Sequence, residues 1–246
     1  MFTQIQCVTF DLDNTLWPIE PTIMLAEKKL YEWMQQFYPK VAEKYSPEEI
    51  AEKRLAFTIK RPDIAHNFTE LRWNALLELA KEFDYPDKFA HEGLALFRKF
   101  RNQVHPYPVS EPTLVKLKPY FKIGAITNGN VQLEKISIGS YFDFNVSAAD
   151  AGASKPNSKL FERAAEVANV PIKNIVHVGD CAKSDVLGAM NAGCFSIWLN
   201  MQRQPWPGGQ NPHAVIHCLS ELPQLLIKNT NINFGVSNVR TSRKTD

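Results

Sequence analysis

Near the amino terminus an apolar run, Cys7-Val8-Thr9-Phe10, ends abruptly in Asp11-Leu12-Asp13-Asn14-Thr15. Residues of this kind without a polar break describe a parallel strand covered on both faces. Strands of that type carry ligand sites at their carboxyl ends, in the crevice of an open α/β sheet. Two carboxylates one residue apart at such a place repel one another and hold protons tightly unless a cation sits beside them. The pair therefore implies metal binding and phosphoryl chemistry. The competing reading is a plain strand-end turn, because Asp13, Asn14 and Thr15 are also good helix-capping types.

The remaining chain has two grammars. From about Pro18 to Pro106 the signals are helical and no strand is convincing. Ile23, Leu25, Ala26, Leu30, Trp33, Met34 and Phe37 recur at helical spacing over Thr22 to Phe37. Ser46-Pro47-Glu48-Glu49 reads as a cap, a first-position proline and a reciprocal glutamate. Further helices are expected over Phe68 to Phe83 and Asp87 to Arg101, punctuated by Pro62, Pro86 and Pro106. From Ser110 onward helices and strands alternate. Helices are expected at Glu111 to Leu117, Gln132 to Ser137, Asn157 to Ala168 and Ser184 to Ala192. Strands are expected at Lys122 to Thr127, Phe144 to Ser147, Asn174 to Val178 and Ser196 to Leu199, with an edge strand at Val215 to His217 and a closing helix at Glu221 to Ile227. This order implies an α/β fold, a doubly wound parallel sheet, interrupted by an all-helical insert. The expected division is a core of residues 1–17 and 107–228, a helical cap of 18–106 and a flexible polar tail of 229–246.

Composition narrows the function classes. Of the 246 residues, 44% are hydrophobic and 22% charged, and the net charge is only +2, so nothing draws the whole chain toward nucleic acid or a membrane. Cys7, Cys181, Cys194 and Cys218 form no CxxC pair, which argues against a zinc site or disulfide scaffold and fits small buried packing roles in a reducing cytoplasm. No segment approaches the roughly 18 apolar residues of a membrane span. The oligomeric state is not legible.

Three later segments also end in chemistry. Thr127-Asn128-Gly129-Asn130 follows a strand and offers a hydroxyl, amides and backbone N–H groups to an anion. Lys155 sits in Ala153-Ser154-Lys155-Pro156 just ahead of a helix. Gly179-Asp180 closes another strand, with Asp185 five residues beyond Asp180. Each has a bland counterpart as a turn, a solvated charge or a cap. Their order along the chain is what separates them from coincidence.

In that order the four motifs resemble those of the haloacid dehalogenase-like hydrolase superfamily: Asp-x-Asp-x-Thr, a hydroxyl residue, a lysine and a late acidic pair. The match runs from Gln6 to Leu199, with the helical insert where that superfamily places its first type of cap. The resemblance implies that Asp11 attacks phosphorus to form an aspartyl-phosphate, while Asp13 protonates the leaving oxygen and then activates water. It implies Mg²⁺ on the Asp11 carboxylate, the Asp13 backbone carbonyl and Asp180, oriented by Asp185. Thr127, Asn128 and Lys155 would neutralise the phosphoryl oxygens. Dehalogenases of the superfamily lack the second acid, because a halide needs no proton, so Asp13 favours a phosphatase of small-molecule phosphate esters. Phosphomutases keep both acids and stay open, as does a non-catalytic binding module. The starting and Ser-Lys-Pro segments look most like bacterial phosphatases of flavin mononucleotide and of the riboflavin-pathway pyrimidine, with nucleotide and sugar phosphatases close behind. Trp17, His66, Arg72 and Trp73 are the candidates for contact with the substrate body.

Overall fold

A computed structural model describes residues 2–228; the expected tail, 229–246, lies outside the described residues. Six strands form one parallel sheet: β1 (Cys7–Phe10), β2 (Lys122–Thr127), β3 (Phe144–Ser147), β4 (Ile175–Gly179), β5 (Phe195–Leu199) and β6 (Ala214–Ile216). Their spatial order is β3-β2-β1-β4-β5-β6, so the order reverses at β1. Phe10 is in register with Ala125 on one side and Val178 on the other. The carboxyl ends of β1, β2 and β4 therefore open on one crevice, where ligands bind in folds of this kind. Every residue of β1 and β4 is buried, including Thr9 and His177, whose Oγ1 and Nδ1 pair at 3.0 Å between the two strands.

Helices cover both faces of the sheet. One apolar cluster joins Val8, Phe10, Leu114, Leu117 and Leu222, and another joins Cys7, Ile126, Leu160, Phe161 and Ala189. α6 (Ser110–Leu117) and α10 (Leu222–Ile227) pack in the first cluster; α8 (Ser158–Ala168) and α9 (Gly188–Asn191) pack in the second. A short α7 (Ala148–Ala151), absent from the expectations, follows β3 behind a Ser147–Asp150 capping box.

Between β1 and α6 lie α1 (Glu20–Phe37), α2 (Pro39–Lys44), α3 (Pro47–Lys60), α4 (Phe68–Glu82) and α5 (Lys88–Arg101). They share a separate cluster of Ala26, Leu30, Met34, Leu76, Phe89 and Phe97, which contains no residue of the sheet. α5 shows why the segment is helical: Phe89, Ala90, Gly93, Phe97 and Arg101 are buried at three- and four-residue spacing. α3 begins at the Ser46–Glu49 capping box expected from sequence, yet buries only Phe57. The two crossings to the sheet are tied together, because Tyr107 N and Ser110 Oγ both donate to the Leu16 carbonyl, at 2.9 and 2.7 Å.

Two expected helices differ. Gln132 to Ser137 forms only a three-residue turn at Leu133–Lys135. Val131, Leu133, Ile136 and Ile138 are all buried, and the chain folds so tightly that a Cβ on Gly139 would lie 1.8 Å from the Leu133 carbonyl oxygen. Ser184 to Ala192 begins instead as a π-helical turn over Ala182–Leu187 before α9. There Asp185 N and Val186 N both donate to the Cys181 carbonyl, while the Asp185 side chain accepts from Cys181 N at 3.0 Å. Of the four cysteines, all with free thiols, Cys7 and Cys194 are buried as expected, whereas Cys181 is exposed and Cys218 intermediate. Among the described residues no helix is long and apolar enough to cross a membrane.

Candidate active site

Asp11 follows β1 directly, with its backbone N–H donating to the Val178 carbonyl at 2.9 Å, so its side chain enters the crevice. Lys155 arrives from the segment after α7. Its backbone N–H donates to Asn128 Oδ1 at 2.7 Å and its carbonyl accepts from Asn128 Nδ2 at 3.2 Å. The Asn128 amide is thus spent on fixing the lysine backbone rather than turned toward the place expected for an anion. Lys155 Nζ lies 2.5 Å from Asp11 Oδ1, 2.7 Å from Asp185 Oδ1 and 2.8 Å from the Ile126 carbonyl.

Two acids and one lysine thus share a buried space. Burial pushes the Asp11 carboxyl up to about 8 against the pull of Lys155, with the Asp185 charge adding to the rise. Asp185 is shifted the other way, below the usual carboxylate range, because Lys155 and His177 outweigh its burial. Asp180 rises to about 6, through burial and the Asp185 charge, and accepts from Thr15 Oγ1 at 3.2 Å. Room for Asp185 depends on Gly179, where a Cβ would stand 2.4 Å from the Asp185 carboxyl carbon.

Oxygens of Asp11, Asp180 and Asp185 all lie within 4.8 Å of one another. An all-carboxylate set, in which burial has raised two of the three proton affinities, suits a hard divalent cation that would supply the missing positive charge. The residues present fit such an ion. The Asp13 carboxylate is engaged elsewhere: Oδ1 accepts from Trp17 Nε1 at 2.8 Å and Oδ2 lies 2.6 Å from Arg101 Nη2. Only its backbone carbonyl remains for the metal role the resemblance implies. Thr127 Oγ1 accepts from Gly129 N at 2.9 Å, which leaves the hydroxyl hydrogen for an acceptor.

These groups line a cavity of about 570 Å³ that runs from the strand ends to the helical insert. Asp11, Asp13, Thr127, Asn128, Lys155, Asp180 and Asp185 all face it. Its far wall is different in character: Ile23, Leu55, Phe68, Leu71 and Phe97, with Arg54 and Arg72. Leu55 and Phe68 are large apolar residues left 62% and 48% exposed there. Of the residues expected to meet the substrate body, only Arg72 lines this cavity. It is buried, forked onto Glu27 at 2.7 and 3.1 Å, and stacked 3.3 Å from the Phe97 ring centre. Trp17 is fully buried behind Asp13, His66 lines a neighbouring cleft, and Trp73 packs edge-on against His91. The sequence reading missed Arg101, Arg54, Leu55 and Phe68. Arg101 carries one legible signal, its four-residue spacing from Phe97 on the same helix face.

Residues 5–193 match the family model of the haloacid dehalogenase-like hydrolases. The 5-amino-6-(5-phospho-D-ribitylamino)uracil phosphatase of Escherichia coli is 32% identical over 231 residues, covering 91% of this chain and 97% of the relative. A pyrimidine 5'-nucleotidase of the same organism is 40% identical over 129 residues, 50% of this chain and 57% of the relative. Among solved structures, a 2-haloacid dehalogenase from Pseudomonas syringae pv. tomato superposes with a TM-score of 0.86 at 36% identity, over 91% of this chain and 99% of that one.

Proposed function

This chain belongs to the haloacid dehalogenase-like hydrolase family and is a phosphoric monoester hydrolase of small phosphate esters; within that activity we propose a Mg²⁺-dependent reaction through an aspartyl-phosphate, on an ester whose alcohol carries a pyrimidine-type ring. The observation that carries this reading is the meeting of Asp11, Thr127, Lys155 and Asp180 on one cavity. We also divide the chain into a catalytic core of 1–17 and 107–228 and a helical cap of 18–106, a division supported by the separate apolar cluster of the insert. Cytoplasmic residence belongs to the same reading, on the sequence grounds given above.

An Asp11 carboxylate oxygen attacks phosphorus, and the bond from phosphorus to the alcohol oxygen breaks. Asp13 gives that oxygen its proton, so the alcohol leaves neutral. Water then attacks the phosphoryl group on Asp11 and passes a proton to Asp13, and breakage of the aspartyl-oxygen-to-phosphorus bond frees inorganic phosphate and restores Asp11. Lys155 and the Thr127 hydroxyl hold the phosphoryl oxygens, where charge gathers during transfer. A divalent ion held by Asp11, Asp180 and the Asp13 carbonyl, with Asp185 behind them, would neutralise charge on those same oxygens and on the attacking carboxylate. Asp13 also speaks against dehalogenation, since a departing halide takes no proton.

The ring preference has two supports. The names of two relatives both describe a pyrimidine joined to a phosphorylated five-carbon unit. The cavity has an apolar far wall suited to a ring face, and it holds two arginines, Arg54 and Arg72, that share one acid, Glu27. Flavin mononucleotide and the riboflavin-pathway pyrimidine phosphate have this shape, and nucleoside monophosphates are the second reading on the strength of the 40% identical segment. Release of phosphate from 4-nitrophenyl phosphate with and without Mg²⁺, followed by a panel of flavin mononucleotide, pyrimidine nucleotides and ringless sugar phosphates, tests both levels. Metal-independent turnover, or none, defeats the mechanism; a preference for ringless esters defeats the substrate class alone.

A further inference from the structure

We propose that Arg101, the last residue of α5, is a catalytic residue that gives one guanidinium nitrogen to a phosphoryl oxygen while the other holds Asp13. This rests on the phosphatase reading above. The Arg101 side chain is 3% exposed, yet it lines the cavity together with Asp11, Thr127 and Lys155. Its Nη2 is committed to Asp13 Oδ2 at 2.6 Å. Its Nη1 is also buried and has no hydrogen-bond partner among the described residues. A charged donor buried without an acceptor has lost its water and gained nothing in return, so an oxygen that completes it is bound correspondingly well.

Gly129 shows which oxygen is within reach. A Cβ at Gly129 would lie 2.6 Å from Asp13 Oδ2, 3.0 Å from Arg101 Nη2 and 3.2 Å from Thr127 Oγ1. The guanidinium, the acid and the hydroxyl thus border one small space that only a glycine leaves open. An oxygen anion held by the Thr127 hydroxyl would therefore lie beside the guanidinium, whose Nη2 borders this space and whose Nη1 is the donor left without an acceptor. A planar fork with two separated donors suits the simultaneous grip on a carboxylate and a phosphoryl oxygen, which a lysine cannot span. Arg101 also comes from the helical insert, whereas Thr127 and Lys155 come from the sheet edge. The phosphate site therefore closes only with the insert in place.

The test uses the full chain with Mg²⁺ and 4-nitrophenyl phosphate. Arg101→Gln is expected to lower kcat roughly 100-fold and to raise the inhibition constant of inorganic phosphate roughly tenfold. Arg101→Lys keeps the charge and is expected to restore neither. Guanidinium ion added to Arg101→Ala is expected to recover part of kcat. A role confined to holding Asp13 or the fold would leave the phosphate constant of the surviving enzyme within twofold of the parent, and that result overturns the proposal. If Arg101→Gln does not fold, the same constant is read on Arg101→Lys. If the parent chain turns over no ester, phosphate binding by calorimetry still decides: equal binding by parent and variant refutes this assignment, whereas no binding by the parent refutes the phosphatase reading itself.

Discussion

Lys155 Nζ stands 2.5 Å from Asp11 Oδ1, with both groups almost withdrawn from water. The same ammonium is 2.7 Å from Asp185, so one lysine serves two carboxylates at the floor of the cavity. Removing it leaves two buried acids facing each other. Lys155→Met is expected to abolish activity and to cost about 3–5 kcal/mol of stability in the absence of metal. Adding Asp185→Asn to that variant is expected to recover much of the stability and none of the activity. Urea unfolding and phosphate release check the two halves separately.

Three carboxylates within 4.8 Å also set the response to cation. Chelation by EDTA is expected to stop turnover, and Mg²⁺ to restore it. Because an ion that binds only the folded chain stabilises it, by about 2.7 kcal/mol at a hundred times its dissociation constant, Mg²⁺ should raise the melting temperature. Asp180→Asn should reduce that increment, as thermal scans across a Mg²⁺ titration will reveal.

The far wall of the cavity yields a prediction about specificity. Leu55→Ala and Phe68→Ala alter residues that are largely exposed, so the fold should tolerate both. Loss of a ring contact is worth about tenfold in discrimination. The ratio of kcat/KM for flavin mononucleotide to that for phosphoglycolate should therefore fall by about that factor. An equal loss on both esters would remove Leu55 and Phe68 from ring recognition.

Buried thiols give the pH dependence of stability its direction. Burial pushes Cys7 and Cys194 from 9.0 up to about 12. Below pH 9 both states hold these protons and the contribution is fully present. Between 9 and 12 the unfolded chain releases them while the folded chain keeps them. Stability should thus fall with rising pH, by about 1.4 kcal/mol per unit for each thiol. Cys194→Ala should flatten the slope in alkaline urea titrations. Iodoacetamide at pH 8 should modify exposed Cys181 and spare Cys7 and Cys194.

Strands were the most legible elements. Lys122–Thr127 and Phe144–Ser147 appear with the expected bounds: β2 is buried from Ile123 onward, as its apolar run suggests, whereas β3 at the sheet edge buries only Val146 and leaves Asn145 exposed. The ends of β1, β2 and β4 carry Asp11, Thr127 and Asp180, so the polar floor of the cavity could be read before any coordinates. Gln132 to Ser137 misled because its apolar residues face a core through a turn, with Gly139 folding onto Leu133, and periodicity does not encode that approach. The far wall was illegible for another reason. Trp17 and Trp73 look like ring-stacking residues, but the Trp17 indole is spent on Asp13 and Trp73 packs against His91. Arg101 reads in sequence as an ordinary basic residue at a helix end. Its reach to Asp13, 88 positions away, is a product of how the insert sits on the sheet.

Chemical trapping of the phosphorylated enzyme bears most directly on the mechanism. The chain is mixed with ester and Mg²⁺, quenched in acid within one turnover, and mapped by mass spectrometry, with a borohydride-reduced sample in parallel. The account predicts one phosphoryl group on the peptide holding Asp11, its accumulation in Asp13→Asn, and its absence in Asp11→Asn together with loss of turnover. Phosphate released at the parent rate by Asp11→Asn, or steady turnover with no label on that peptide, would contradict it.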